Sequence, residues 1–262
     1  MNKLVSLEQA VSLVKDGDII ALGGNVLHRA PHKFVYELIK SKVKNLEVIK
    51  TAGAHDVDAM CLGESVKSVA AGFISYETEY GLCRNYRRSV ENGSVRADEH
   101  ACYTVISAIR AAIQGIPFMP FRGLTGSDLH SRSYFEMVKD PFTGEEVPVV
   151  KAIRPDIAVI HVQEADQYGN ARIYGPVYED LLFAKASKSV IITAERIITN
   201  EQVRDNGALT MIPGFMVTAV VELPNGASPG SCAGVYDINR TILDEFKELK
   251  SKDELDAYLA KY

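Results

Sequence analysis

The stretch DGDIIALGGNVLHRAP, Asp16 to Pro31, constrains the fold more than any other part of the chain. Asp16-Gly17 can close a first helix, and Ile19 to Leu22 is a short apolar run with the character of a buried strand. Gly23-Gly24-Asn25 breaks the chain at the strand's end, and Pro31 stands where a helix begins. A glycine turn between strand and helix lets backbone N–H groups approach an anion or a carbonyl oxygen, with the helix dipole behind them.

The rest of the sequence extends this beginning into an α/β pattern. Ser6-Leu7-Glu8-Gln9 has the spelling of a capping box, and Gly17 that of a left-handed C-cap. Phe34, Val35, Leu38 and Ile39 line one face of the helix after Pro31, and Leu46 to Ile49 is the next strand, completing a β-α-β unit. Helix is expected over 56–62, 77–92, 99–113, 181–186 and within 241–262. Strand is expected over 66–74, 157–162, 190–194 and 216–222. Residues 130–151 are polar and carry Pro141, Gly144 and Pro148, the marks of an excursion from the core. The expected architecture is one α/β domain over 1–262: a single open, mainly parallel sheet with helices on both faces.

Composition removes several classes of function. The net charge of −5 is spread along the chain, against a nucleic-acid partner. No apolar run approaches the roughly 20 residues of a membrane span, and the N-terminal residues lack the apolar core of a secretory signal, so the expected location is cytoplasmic. Cys61, Cys83, Cys102 and Cys232 are scattered with no C-x-x-C pair, so neither a disulfide framework nor a metal site is expected. The turn GGNVLH is not the G-x-G-x-x-G of dinucleotide sites; no G-x-x-x-x-G-K-[ST] loop and no G-x-S-x-G elbow occurs.

The spelling of the turn resembles the N-terminal signature of the family I CoA-transferases. Asp16, Gly17, Ile20, Ala21, Leu22, Gly23, Gly24 and Pro31 match it. Asn25 stands where phenylalanine is usual, and Arg29 where glycine is usual. Arginine before x-Pro is the form carried by the α subunits similar to that of glutaconate CoA-transferase. The likeness runs on through Gly53-x-x-Asp56-x-Asp58, Val66-Lys67, Ile116-Pro117-Phe118, Gly126-Ser127-Asp128 and Asp140-Pro141-Phe142. It continues through Arg154-Pro155-Asp156, Ala165-Asp166-x-x-Gly169-Asn170, Ile212-Pro213-Gly214 and Pro224-x-Gly226-Ala227. Ser228 replaces the histidine that glutaconate-type subunits often have.

The resemblance implies an acyl-CoA:carboxylate CoA-transferase with a coenzyme A thioester as substrate and no permanently bound cofactor. Its nucleophile is a glutamate in a Ser-Glu-Asn-Gly motif of a homologous β subunit. This chain has Ser89-Val90-Glu91-Asn92-Gly93, with an extra valine, at a helix end where Asn-Gly is ordinary stop chemistry. The implied role is therefore that of an α subunit with no catalytic residue of its own, in a higher αβ oligomer. It would bind substrate and oxyanion through Gly23, Gly24, Asn25, Arg29, Gly126 and Ser127. His28 and Glu77 are further candidates to line the site. Arg29 reads equally as a partner for an acid, and Gly126-Ser127 as a plain turn. A related hydrolase branch that opens rings of β-keto CoA thioesters is the alternative. It is expected to need an acid on the helix after Asp98, where this chain has Cys102.

Overall fold

The computed structural model describes residues 1–124, 126–131 and 133–262. In chain order its elements begin with α1 (Leu7–Val11), β1 (Ile19–Leu22), α2 (His32–Lys40), β2 (Leu46–Gly53), α3 (His55–Leu62) and β3 (Val66–Ile74). There follow α4 (Glu77–Tyr80), α5 (Arg84–Glu91), β4 (Arg96–Glu99), α6 (Cys102–Gln114), β5 (Phe118–Pro120), β6 (Phe135–Lys139) and β7 (Glu146–Lys151). The chain ends through β8 (Ile157–Asp166), β9 (Ala171–Arg172), α7 (Asp180–Ala186), β10 (Ser189–Ile198), α8 (Asn200–Asp205), β11 (Ala219–Glu222), α9 (Arg240–Glu248) and α10 (Lys252–Lys261).

The main sheet has the order β11-β10-β8-β1-β2-β3-β4, with every neighbouring pair along it parallel. Short β9 adds antiparallel to β8. The strands alternate their side chains between two cores. Ile20, Leu22, Val48, Ile157 and Val159 belong to one, and Ala21, Ile49, Ala158, Ile160 and Val162 to the other. This period of two, apolar on both sides, demands cover on both faces. Helices α2, α3 and α10 cover the first core, and α6 and α7 the second. The α/β sheet expected from sequence is the one observed.

Strand order reverses between β1 and β8: β1 to β4 run to one side, β8 to β11 to the other. In open parallel sheets that switch point leaves a crevice at the strands' C-terminal ends where ligands bind. The Gly23-Gly24-Asn25 turn, leaving β1, lies at it.

Several local expectations need correction. The box at Ser6 forms, with Gln9 N–H donating to Ser6 Oγ at 3.2 Å, but the helix ends at Val11. Gly17 instead occupies the turn into β1 at φ +82° and donates to Lys44 O. Gly81, at φ +70°, splits the expected 77–92 helix into α4 and α5. Glu99 belongs to the edge strand β4, so the next helix starts only at Cys102. The polar 130–151 stretch, of which Arg132 lies outside the described residues, supplies the hairpin β6–β7. With β5 this forms a second, antiparallel sheet. Phe135, Val149 and Val150 are buried, which gives the hairpin an apolar side despite its charge. Among the described residues no helix is long and apolar enough to cross a membrane.

Candidate active site

The turn after β1 is closed by its own hydrogen bonds. Gly23 N–H donates to Val159 O at 2.8 Å, Gly24 N–H to Asp180 Oδ1 at 2.9 Å, and Asn25 N–H to His28 O at 2.9 Å. The donors expected to face a substrate are thus spent inside the protein, a correction to the reading of Gly23 and Gly24 as oxyanion donors. Their glycine identity has a steric cause instead. A Cβ on Gly23 would lie 2.4 Å from Asp180 Oδ1. One on Gly24, at φ +70°, would lie 2.5 Å from Ala30 N and Arg29 O.

Arg29 is also turned inward. It is 3% exposed and ion-paired with Asp180 at 2.5 Å, while its second nitrogen donates to His161 O at 2.7 Å. Its guanidinium further reaches Pro176 O at 3.1 Å and sits 5.8 Å from the Tyr178 ring centroid. Arg29 thus has an acid partner inside the protein, as one of its two readings expected. The pair clamps β1's turn, β8 and the start of α7 together. Beneath it, Lys50 Nζ donates to Gly23 O at 2.8 Å and pairs with Asp56 at 2.6 Å, both side chains fully buried. Burial opposes ionisation of Asp56, yet the Lys50 charge holds its pKa below the ordinary value.

The loop 225–236 forms the outer wall. Ser231 N–H donates to Leu27 O and Arg29 N–H to Ser231 O, each at 2.7 Å. Glu195, at the far end of β10, holds that loop. It accepts from Asn225 N–H at 2.7 Å and Tyr236 O–H at 2.5 Å, and meets His161 Nε2 at 2.7 Å. His161 Nδ1 contacts Thr193 Oγ1 at 2.9 Å, so both ring nitrogens are engaged. Burial pushes the His161 pKa down, whereas Glu195, despite its own burial, is held low by its His161 and Tyr236 bonds. With Cys232 these two give three metal-type donors within 4.8 Å of one another, a grouping that the scattered cysteines do not betray in sequence.

What faces outward is a smaller set. Asn25 is half-buried, and its side chain makes no hydrogen bond among the described residues. His28 is exposed, with Nδ1 at 2.7 Å from Ser231 Oγ. A cavity of about 230 Å³ is walled by His28, Arg29, Tyr174, Tyr178 and Ser231. A second of about 500 Å³, walled by Gln163, Glu164, Glu195 and Arg196, shares Tyr174 and Ala233 with it.

Other expected residues lie elsewhere. Glu77 is exposed at the N-terminus of α4 beyond β3, at φ +58°. It belongs to the same sheet edge as the turn, since Val26 bridges Gly53 and Gly53 pairs with Ile74. Gly126 lines a separate cavity over the antiparallel sheet with Arg122 and Met137. Ser127 Oγ accepts from Leu129 N–H at 3.3 Å. No hydrogen bond or shared cavity among the described residues joins 126–127 to the turn. Glu91 is an exposed end of α5 paired with Arg87 at 2.7 Å, in keeping with a helix stop. The sequence reading missed Asp180, Lys50, Glu195 and Tyr174, because each acts through a partner distant in the chain. It also missed the contact of Cys102 Sγ with Thr51 O at 3.4 Å, beside Thr51 Oγ1 donating to Glu179 at 2.7 Å.

A model of the coenzyme A transferase family matches residues 4–223. The chain belongs to that family. It is 30% identical over 277 residues to a glutaconate CoA-transferase subunit of Acidaminococcus fermentans, covering 98% of this chain and 87% of that one. The crystal structure of glutaconate CoA-transferase from that organism superposes with a TM-score of 0.94 at 29% identity, over 99% of this chain and 88% of that chain. The crystal structure of a variant of the decarboxylase AibA/AibB superposes at 0.89 with 31% identity, over 100% of this chain and 98% of that one. An uncharacterized protein of Archaeoglobus fulgidus is 35% identical over 264 residues, and this chain spans 59% of its length.

Proposed function

We propose that this chain is the α subunit of a heteromeric acyl-CoA:carboxylate CoA-transferase and completes a site whose nucleophilic glutamate comes from a homologous β subunit. One observation carries the reading: the family's glycine turn is held rigid at the switch point, while the acids closest to it are already committed. Asp180 is bound to Arg29 and Gly24, and Asp56 to Lys50. A carboxylate so engaged is a poor nucleophile, so the attacking group has to arrive from outside the turn.

In this mechanism the partner's glutamate attacks the thioester carbonyl and expels CoA thiolate, leaving an acyl-glutamyl anhydride. The thiolate then attacks the glutamyl carbonyl, releasing the acid, and a second acid reverses the two steps. Each attack places negative charge on a carbonyl oxygen, where a fixed donor is worth on the order of 100-fold in rate. Asn25 Nδ2 is our choice for that donor, because it is the turn's uncommitted amide. His28, oriented by Ser231, lines the cavity beside the turn, and Tyr174 and Tyr178 line it too and limit water that would hydrolyse the anhydride. Substrates are acyl-CoA and a free carboxylic acid, and the cellular setting is cytoplasmic.

The likeness to AibA/AibB favours decarboxylation as a second reading. Incubation of the chain and its β partner with an acyl-CoA and a labelled free acid, followed by mass spectrometry, decides. Acceptor-dependent appearance of the labelled CoA ester supports transfer. Release of carbon dioxide, or of free CoA without acceptor, overturns it.

A further inference from the structure

A cavity between α5 and α9 carries a charge imbalance that CoA transfer does not use. It holds about 180 Å³ and is walled by Arg84, Arg88, Lys247 and Lys250, with Asp58 and Glu248 as its acids. Four cations converge here in a chain whose net charge is −5. Arg84 and Arg88 stand one helical turn apart on the same side of α5, an arrangement of like charges that a helix does not favour by itself.

The two acids leave the excess standing. Asp58 is buried and committed to the start of α5. Its Oδ1 accepts from Asn85 N–H at 2.8 Å and Tyr86 N–H at 2.9 Å, and its Oδ2 from Tyr76 O–H at 3.2 Å. Glu248 is exposed, and Glu254, which accepts from Lys250 N–H at 2.5 Å, is a further acid beside the cavity, so the four cations still outnumber the acids around them. Two of the cations are held in place. Lys247 Nζ donates to Tyr80 O at 3.0 Å and sits 4.6 Å from the Tyr76 ring centroid, and Arg88 donates to Asn85 Oδ1 at 3.0 Å. The side chains of Arg84 and Lys250 have no hydrogen bond or ion pair among the described residues. Burial, and then the charge of Arg84, hold the Lys247 pKa below the ordinary lysine value.

We propose that this cavity binds a phosphate group, either free or as the terminal phosphate of a phosphoester. Arginine forks grip tetrahedral oxyanions bidentately, and lysines add point charges. The cavity, about 180 Å³ and open to solvent on the side of the exposed Arg84, Arg88 and Lys250, admits a phosphate group. The proposal goes beyond CoA transfer and survives if that reading fails, because its test reads binding and not turnover.

The test is calorimetric titration of the full chain, in its native complex, with inorganic phosphate and with adenosine 3′,5′-bisphosphate, at low and high salt. Saturable binding is expected for at least one probe, weakened by salt. In the Arg84→Gln/Lys250→Gln variant it should weaken at least about 10-fold, the scale of one lost charged hydrogen bond. Tighter binding of the bisphosphate assigns the site to a phosphoester; equal binding assigns it to free phosphate. Absence of saturable binding by either probe overturns the proposal, as does unchanged affinity in the variant. The single variant Lys250→Gln, at an exposed side chain, repeats the test should the double variant melt early.

Discussion

The Arg29–Asp180 pair is the keystone of the turn, and Asp180→Ala measures it. The pair is 3% and 0% exposed, so removing the carboxylate leaves a guanidinium stranded away from water. Breaking a buried pair from one side costs about 3–5 kcal/mol. Arg29 retains His161 O and Pro176 O, which places the loss at the lower end, about 3 kcal/mol. Gly24 N–H also loses its acceptor, adding about 1 kcal/mol. At about 2–4 °C per kcal/mol for a chain of this size, Asp180→Ala should lower the melting temperature by about 8–16 °C. Asp180→Asn keeps an oxygen for Gly24, so its loss should be smaller by about 2–4 °C. Differential scanning calorimetry of the three proteins reads both numbers. A melting temperature of Asp180→Ala within about 2 °C of the unmodified protein would refute the clamp, since that corresponds to no more than about 1 kcal/mol.

Gly24→Ala should cost about 1–3 kcal/mol in a urea melt and depress turnover, because its Cβ meets backbone atoms of Arg29 and Ala30 at 2.5 Å. Asn25→Ala should lower kcat on the order of 100-fold with the melting temperature little changed, whereas Ser127→Ala should leave kcat nearly intact; the reverse order would reassign the donor. Stability should fall in acid. Burial first of all pushes both His32 and His100 down to about 4, so each stays neutral in the folded chain while the unfolded chain gains protons below about 6.5. Stability from these groups is therefore complete above about 6.5 and is lost as pH falls toward 4. At pH 5 the loss should be about 2 kcal/mol for each histidine, read as a lower urea midpoint than at pH 7.5. A flat profile would contradict their burial as neutral groups.

The frame of the fold was legible where apolar runs are bounded by hard punctuation. β1 lies between Asp16-Gly17 and Gly23-Gly24, and the nearby central strands β2, β3 and β8 read as mostly apolar runs because both faces are covered. The edge strand β4, RADE, has no such run. It is short and charged, as exposed edges are, and is defined by its pairing with β3. The β6–β7 hairpin hides its apolar side in a stretch dominated by charge. At the site, the turn itself was legible and its wiring was not. Gly24 meets Asp180 across 156 residues and Arg29 meets it across 151, a pairing that no local pattern encodes. Phosphate-loop logic suggests free N–H groups after such a strand, but a buried carboxylate placed by α7 claims one of them here. The Lys50–Asp56 pair is nearly local, yet its contact with Gly23 O depends on β1 and β2 being neighbours.

The central claim is that this chain supplies a wall of the site and its partner supplies the nucleophile. Borohydride treatment of the reconstituted complex during turnover, with peptide mapping by mass spectrometry, locates the glutamate that carries CoA. The account predicts a modified glutamate in the partner and none in this chain. A modified glutamate in this chain, or full turnover by this chain alone, would contradict it.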